Sequence, residues 1–406
     1  MRILYLSQYF PPEVGATQTR AHEMARHLVR MGHHVTVLAE FPNHPRGIIP
    51  EHYRGRFWEK DRLDGIEVIR TWVYARSQKT FRTRILFYLS FMVSALLAGL
   101  FLRGRYDVVY ATSPPFFVGL TGLLLSRFKN AEFIFEVRDL WPRSAVELGE
   151  LRNRFFIKLS EKLETLYYRH AARIVVVTAG IRRILTGRGI PEGKLVLITN
   201  GTTTELFRYT GDAKKREWGL GGKFVVLYAG IFGLAQGLER LCELAELLKP
   251  EEGIHFVFVG EGPLKPRVER LQQERNLHNL TLLDEVPREV IPEYISASDA
   301  CLVPLQKNPL FLGALPSKMF DYLACERPVI LSVDGEARKV LEECGGGLYA
   351  EPENIYAMAQ AILKLKAAPA IALKMGKSGR AFVEKYYSRR GKAEELERLL
   401  REVVEG

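Results

Sequence analysis

Ile3-Leu4-Tyr5-Leu6 is followed by the loop Gln8-Tyr9-Phe10-Pro11-Pro12-Glu13-Val14-Gly15-Ala16, by a helical stretch from Thr17 to Met31 that Gly32 ends, and by His34-Val35-Thr36-Val37-Leu38-Ala39. The apolar runs are short, continuous and rich in branched residues, as strands covered on both faces are. Thr17 offers a helix cap. Strand, crossover helix and strand make a βαβ unit. Working outward, further strands are expected at 107–112, 132–137, 173–178 and 194–198. Asn200-Gly201-Thr202-Thr203 is a turn-rich joint, after which the pattern restarts with Phe224-Val225-Val226-Leu227-Tyr228-Ala229. Strands recur at 254–259, 280–283, 300–303 and 329–332, and helical runs close the chain at 353–367, 370–387 and 390–404. The reading is α/β, with two doubly wound domains over residues 1–200 and 201–387. Leu396, Leu399, Leu400, Val403 and Val404 form a stripe at helical spacing, so a last helix over about 388–406 is expected to return to the first domain.

A chain of 406 residues is too long for one ordinary domain, and 47% hydrophobic with 26% charged residues excludes a disordered or fibrous chain. Cys242, Cys301, Cys325 and Cys344 show no zinc-site or dithiol spacing, which favours a reducing compartment. There is no His-Glu-x-x-His and no Asp-x-Asp, so no dedicated metal site is expected. The net charge of +11 is uneven: residues 1–204 hold 30 Lys+Arg against 17 Asp+Glu, whereas residues 205–384 hold 22 against 25. The first half therefore suits an anionic partner, or carries a solvated basic face.

The N-terminus reaches Pro11-Pro12 too soon to hold a signal peptide's apolar core. Residues 85–102 are uncharged and flanked by Arg82, Arg84, Arg103 and Arg105. As a helix they span about 27 Å, just short of a ~30 Å hydrocarbon core. A buried core helix and a helix lying on a membrane surface both fit. A span is disfavoured, because the strands at 33–39 and 107–112 could not then share a sheet. Residues 54–105 carry eleven Lys+Arg against four Asp+Glu, a surface suited to an anionic leaflet. This predicts a cytoplasmic protein attached peripherally to the inner face of the membrane.

In open α/β sheets ligands bind beyond the carboxyl ends of the strands. Gly15 there precedes a helix and allows close approach of an anion, or is a plain turn. Gly230-Ile231-Phe232-Gly233-Leu234-Ala235-Gln236-Gly237 departs from Gly-x-Gly-x-x-Gly, which disfavours a nicotinamide enzyme. Val259-Gly260-Glu261-Gly262-Pro263 is a second glycine turn. Gly313-Ala314-Leu315-Pro316-Ser317-Lys318 offers amides, a hydroxyl and a cation, which suits a diphosphate. Asp321 follows one turn later and could take ribose hydroxyls, or Lys318 and Asp321 are an exposed helix pair. Glu136-Val137-Arg138-Asp139-Leu140-Trp141-Pro142 ends a strand with two acids and a base. Carboxylates there can hold a sugar hydroxyl or stabilise a cationic transition state, or form a structural pair with the arginine.

Taken together, these pieces resemble family-4 retaining glycosyltransferases of GT-B architecture, in which two Rossmann-like domains face each other across a cleft. The likeness rests on Gln8 to Glu13 with Gly15, Phe41-Pro42-Asn43-His44-Pro45-x-Gly47, Glu136 to Pro142, Ala235-Gln236-Gly237, Pro316-Ser317-Lys318 and Ser332-Val333-Asp334-Gly335-Glu336. The set is similar to the branch that adds amino-sugars in cell-surface polysaccharide or lipopolysaccharide assembly. The resemblance implies a nucleotide-sugar donor, UDP-linked, in the second domain. Gly15, Gly233, Gln236, Glu261, Gly313, Ser317, Lys318 and Asp321 would serve that donor. It implies catalytic roles for Asp139, Arg138 and Glu136, and an acceptor side of Glu13, Asn43 and His44. The implied acceptor is a polyprenyl-diphosphate-linked glycan. No cofactor and no metal are expected, since helix dipoles and protein cations neutralise the leaving diphosphate. The chain departs from the broader family at Gly313, which replaces the first glutamate of Glu-x7-Glu, and at Arg138, where many relatives have histidine.

Two other functions compete with transfer. A nucleotide-sugar 2-epimerase of the same architecture needs no acceptor, and gives Asn43, Pro45, Gly47 and residues 85–102 no role. A basic nucleic-acid-binding protein is disfavoured because the aromatics are not interleaved with the basic residues as a stacking platform requires.

Overall fold

The structure is a computed structural model that describes residues 1–13, 15–43, 47–77, 80–147 and 151–406. In the first part of the chain the elements run β1 (Arg2–Leu6), α1 (Ala16–Arg30), β2 (His34–Glu40), β3 (Trp58–Leu63), β4 (Ile66–Thr71), α2 (Phe81–Phe101), β5 (Val108–Ser113), α3 (Val118–Lys129), β6 (Glu132–Val137), α4 (Arg143–Glu147), α5 (Arg154–His170), β7 (Arg173–Val176), α6 (Ala179–Gly187) and β8 (Leu195–Leu197). They continue with α7 (Ala213–Glu217), β9 (Phe224–Ala229), α8 (Leu238–Leu247), β10 (Ile254–Val259), α9 (Lys265–Glu274), β11 (Leu280–Leu283), α10 (Ile291–Ser296) and β12 (Ala300–Pro304). The last are α11 (Ser317–Ala324), β13 (Val329–Ser332), α12 (Glu336–Cys344), β14 (Gly347–Tyr349), α13 (Ile355–Ala367), α14 (Pro369–Tyr386) and α15 (Arg389–Glu405).

Two units result, one of Met1–Thr199 with Lys392–Gly406 and the other of Asn200–Gly391. The first holds an eight-stranded sheet in the order β3-β4-β2-β1-β5-β6-β7-β8. Only β3 runs antiparallel to its neighbour. Alternate residues of β1 feed opposite cores. Leu4 and Leu6 pack under α2, α3, α5 and α6, with Phe91, Leu125 and Tyr167. Ile3 and Tyr5 pack under α1 and α15, with Met24, Leu28, Leu396 and Leu400. Of the stripe read on the last helix, Leu396, Leu399 and Leu400 lie in the first unit's core, Val403 packs against it and Val404 is exposed. The second unit holds a six-stranded, wholly parallel sheet in the order β11-β10-β9-β12-β13-β14. Its two faces are covered by α8, α9 and α13 and by α10, α11, α12 and α14. All four cysteines are free and buried.

Three elements differ from the reading. The hairpin β3–β4 was not expected, because Trp58-Glu59-Lys60-Asp61-Arg62-Leu63 is a charged edge strand without an apolar run. Its signal was the two-residue turn Asp64-Gly65, both at positive φ (50° and 81°), the geometry that favours a hairpin. The short β14 was also missed. It exists because Gly347 lies so close to Val329 that a Cβ would stand 1.9 Å from the Val329 carbonyl oxygen. Helix α1 starts two residues earlier than expected, with Gly15 rather than Thr17 in the cap position.

The uncharged segment lies in α2, which Thr80 caps by accepting the Thr83 amide. Strands β4 and β5 on either side of it belong to one sheet. Phe91, Ala95 and Ala98 of α2 face that sheet's core. Leu86, Val93, Leu97 and Phe101 are exposed on the opposite side. The helix therefore lies flat on the sheet with only its inner side buried. Because Leu400 is fully buried between α15 and the sheet, Leu400→Ala should destabilise the first unit by about 2–5 kcal/mol. Denaturant unfolding monitored by circular dichroism checks this.

Candidate functional site

In the first unit, the carboxyl ends of β1, β2, β5 and β6 share one edge. Glu136, on β6, is fully buried. Arg20 of α1 donates to its Oε1 from Nε at 3.0 Å and Nη2 at 2.7 Å. The Tyr110 hydroxyl donates to the same oxygen at 2.8 Å, and the Thr112 hydroxyl to Oε2 at 2.5 Å. Burial opposes ionisation of Glu136, but the charges of Arg20 and Arg138 and the bonds from Arg20 and Thr112 outweigh it and hold the carboxyl below its usual range. Arg20 also donates to the Thr199 and Ile198 carbonyls, both at 2.9 Å. This corrects the expectation for Glu136. Both its oxygens are occupied and shielded from solvent, so it holds the edge together and does not touch substrate.

Arg138 stands at the outer end of this network. Its Nε lies 3.8 Å from Glu136, and its Nη2 donates to the Pro114 carbonyl at 3.1 Å. Asp139 follows, with an exposed side chain that accepts a 2.9 Å bond from the Ser144 hydroxyl. Desolvation raises its pKa, against the Ser144 hydroxyl, the Leu140 amide and Arg138, which favour the charged form. Of the three acids and bases read at this strand end, Asp139 is the one available to a ligand. Glu13 and Asn43 are brought together: the Glu13 carboxylate accepts the Asn43 backbone N–H at 2.7 Å. Asn43 also donates to Glu40 at 2.8 Å, and Gln8 donates to the other Glu40 oxygen at 2.6 Å. His44 lies outside the described residues. Gly15 precedes α1, where the Gln18 side chain closes over it.

In the second unit, Gly230 follows β9 at positive φ, and a Cβ there would stand 2.7 Å from Lys318 Nζ. That amine is buried without a hydrogen-bond partner and sits 3.9 Å from the centre of the Tyr228 ring. Burial lowers its pKa to about 7, against the attraction of Asp321. Lys318 belongs to the first turn of α11, whose cap residue Pro316 supplies no side-chain bond. Ser317 opens that turn. The Gly230–Gly237 loop is tied to the segment after β12 by a 2.8 Å bond from the Gln306 amide to the Ala235 carbonyl. Gly233 and Gln236 sit on that loop, with the Gln236 side chain folded over Gly233. Gly313 ends a short turn from Pro309. Gly335 lies at φ +81°, and a Cβ there would come 2.0 Å from the Leu312 carbonyl, so this glycine supports that turn.

Two readings of this unit change. Lys318 and Asp321 are not an exposed pair. Asp321 accepts a 2.5 Å bond from the Thr202 hydroxyl, and Arg389 and Arg288 also lie near. Asp321 thereby anchors α11 to the start of the unit, which leaves it less free for ribose than expected. Glu261 is bound to Lys265, which also binds Asp284, so it stands in an ion-pair cluster at the ends of β10 and β11. Gly260 and Gly262 serve packing: a Cβ on either would strike the Gly230 or Phe232 carbonyl, at 1.9 and 2.5 Å. The reading missed Arg20, Glu40 and Tyr228. An arginine on the inward side of an amphipathic helix was the signal for Arg20. The other two had none. Among the described residues no group of three or more His, Cys, Asp or Glu is placed to hold a metal ion.

Residues 15–201 match the Glycosyl transferase 4-like domain family, and residues 211–382 match the Glycosyl transferases group 1 family. The Escherichia coli protein named for colanic acid biosynthesis as glycosyl transferase WcaI is 26% identical over 377 residues, which is 89% of this chain and 91% of that one. Sucrose-phosphate synthase from Thermosynechococcus elongatus superposes with a TM-score of 0.74 at 21% identity, over 99% of this chain and 98% of its own. Anabaena HepE in complex with UDP-glucose does so with a TM-score of 0.73 at 14% identity, over 99% and 100%. The fold is GT-B, and the chain belongs to the family-4 glycosyltransferases.

Glu136→Gln leaves Arg20 buried with its charge uncompensated, so it should lower stability by about 3–5 kcal/mol. Asp139→Asn, at an exposed side chain, should leave the melting temperature almost unchanged. Thermal unfolding of the two variants side by side checks the structural role of Glu136.

Proposed function

We propose that the protein is a retaining, metal-independent transferase. It moves a sugar, an N-acetylamino-sugar, from a UDP-linked donor to a polyprenyl-diphosphate-linked glycan in cell-surface polysaccharide assembly. The observation that carries the donor reading is Lys318. An unpartnered buried cation is costly, and it is retained here beside Gly230 and the uncapped start of α11. A diphosphate supplies the missing charge, and the free amides of α11 add hydrogen bonds. UDP-glucose in the Anabaena neighbour and colanic acid in the name of the Escherichia coli relative support the donor and pathway class. The amino-sugar rests on the motif resemblance.

In the proposed reaction the bond from the anomeric carbon to the diphosphate oxygen breaks. A bond from that carbon to the acceptor hydroxyl oxygen forms on the same face, and the hydroxyl proton passes to the leaving diphosphate. The protein then positions the acceptor and stabilises positive charge at the anomeric carbon, the role given to Asp139 with Arg138 beside it. Lys318 and the α11 amides take the negative charge that grows on the diphosphate, which is why no metal is invoked. The basic region 54–105 around α2 supports peripheral attachment to the cytoplasmic side of an anionic membrane, where a lipid-linked acceptor resides.

Products from a panel of nucleotide sugars with a polyprenyl-diphosphate glycan, read by mass spectrometry and anomeric NMR, test the reaction. An epimerised sugar formed from donor alone would overturn it. Lys318→Ala should weaken nucleoside-diphosphate binding by about 1.5–3 kcal/mol in calorimetry. Lys318 strengthens binding only in its protonated form, and burial lowers its pKa in the ligand-free protein to about 7. Binding should therefore take up a proton, be strongest below that pH, and weaken by up to about tenfold per pH unit above it until it nears the affinity of the Lys318→Ala variant. The Lys318→Ala variant should lose this pH dependence. Asp139→Asn should lower turnover by about a hundredfold or more while leaving donor affinity nearly unchanged. Steady-state kinetics beside calorimetry separates the two effects.

A further inference from the structure

The apolar outer side of α2 does not stand alone. Helices α2, α3 and α5 cover the same face of the first sheet. Gly99 of α2 admits Leu125 of α3 so closely that a Cβ would stand 2.5 Å from it. Lys129 of α3 donates to the Leu100 carbonyl at 3.2 Å, at the carboxyl end of α2. Arg127 of α3 bonds His170 of α5 at 2.8 Å. The outward sides of these three helices carry large exposed apolar residues. On α3 they are Leu124 and Phe128, at 43% and 64% exposure. On α5 they are Phe155, Phe156, Leu159 and Leu166, led by Phe155 at 70%. Phe155, Leu159 and Leu166 fall within about 40° of one another around the helix. Lys158, Lys162 and Arg169 line the same side, all exposed. The opposite layer of the unit is different: α15 turns Glu394, Arg398, Arg401 and Glu402 outward. Helix α6 belongs to the layer of α2, α3 and α5, and at its end the surface turns polar, with Arg183 and Thr186 exposed. Most of the first unit's large exposed apolar residues are thus gathered on three adjoining helices, with Phe57, Trp58 and Trp72 on the β3–β4 edge and Ile48, Val146 and Val404 elsewhere.

We infer that α2, α3 and α5 form one lipid-docking face, in which the Phe155–Phe156 pair enters the acyl boundary and Lys158 and Lys162 meet anionic headgroups. This rests on the membrane reading proposed above and extends it to two helices that the charge around residues 54–105 does not touch. The occupant is a leaflet rather than a second copy of the chain. A symmetric dimer would set the same lysines and arginines of one copy against those of the other, with Glu161 as the one exposed acid on these three helices to offset them. An anionic leaflet removes that conflict, and long basic side chains can place their stems along the apolar surface and their charges at the headgroups.

The full-length protein is sedimented with phosphatidylcholine vesicles, with and without phosphatidylglycerol, at low and high salt. The wild type should pellet with the anionic vesicles. Phe155→Ser with Phe156→Ser should lower partitioning about tenfold, and Lys158→Glu with Lys162→Glu should remove most of its salt dependence. Ile371→Ser with Leu373→Ser, exposed on the second unit, should bind as the wild type does. Circular dichroism melts guard against misfolding, since every altered side chain is exposed. Wild-type protein left in the supernatant overturns the membrane reading itself. Undiminished binding by both α5 variants overturns only the extension to α5. A vesicle-free dimer in light scattering that the Phe155 and Phe156 changes dissolve would assign the face to a second copy and overturn the inference.

Discussion

The buried contact between Arg20 and Glu136 is the constraint around which the first unit's working edge is arranged. Arg20 joins α1 to β6 through two bonds to one carboxylate oxygen and reaches the chain after β8 through two carbonyls. Tyr110 and Thr112 bring β5 into the same network. A charge pair withdrawn from water is tolerated only when nearly every donor and acceptor is used, and this one is so saturated. Its consequence lies two and three residues further on. With Glu136 immobile, Arg138 and Asp139 leave the strand end in a set direction, and Asp139 meets solvent with the Ser144 hydroxyl and the Leu140 amide on its carboxylate.

The second unit treats a buried charge in the opposite way. Lys318 has the face of Tyr228 and no hydrogen-bond acceptor, and burial lowers its pKa. One site spends its interactions on rigidity. The other withholds them, and an unsatisfied cation next to free helix amides is a place prepared for an anion. The surrounding glycines have one physical meaning. Gly230 leaves room for the amine, Gly260 and Gly262 let two loops touch through their backbones, and Gly335 supports the turn that leads into α11.

The same two-layer logic explains the outer surface of the first unit. Large exposed apolar residues of α2, α3 and α5 stand beside exposed basic ones, whereas α15 turns mainly charged residues outward. Residues 85–102 could be read as core, interface or span because a helix of uncharged residues satisfies all three by composition. Its place between β4 and β5 in one sheet leaves one side for the core and one side exposed.

The sequence by itself determined the doubly wound pattern. Continuous Val/Ile-rich runs ending in glycine loops are a local property of each strand, set by burial on both faces, and they needed no knowledge of neighbours. It also determined where ligands could gather, since every motif read lies at a strand's carboxyl end. The hairpin at 58–71 was legible only through Asp64-Gly65, because an edge strand carries no apolar run. What tertiary structure alone decided is the role of each charged residue. Glu136, Arg138 and Asp139 are neighbours of similar promise in sequence. Arg20, more than a hundred residues away, occupies Glu136 and leaves Asp139 open. Thr202 engages Asp321 in the same manner, while no residue does so for Lys318. Hydrogen-bond saturation is a property of distant residues brought to one point, and spacing along the chain does not carry it.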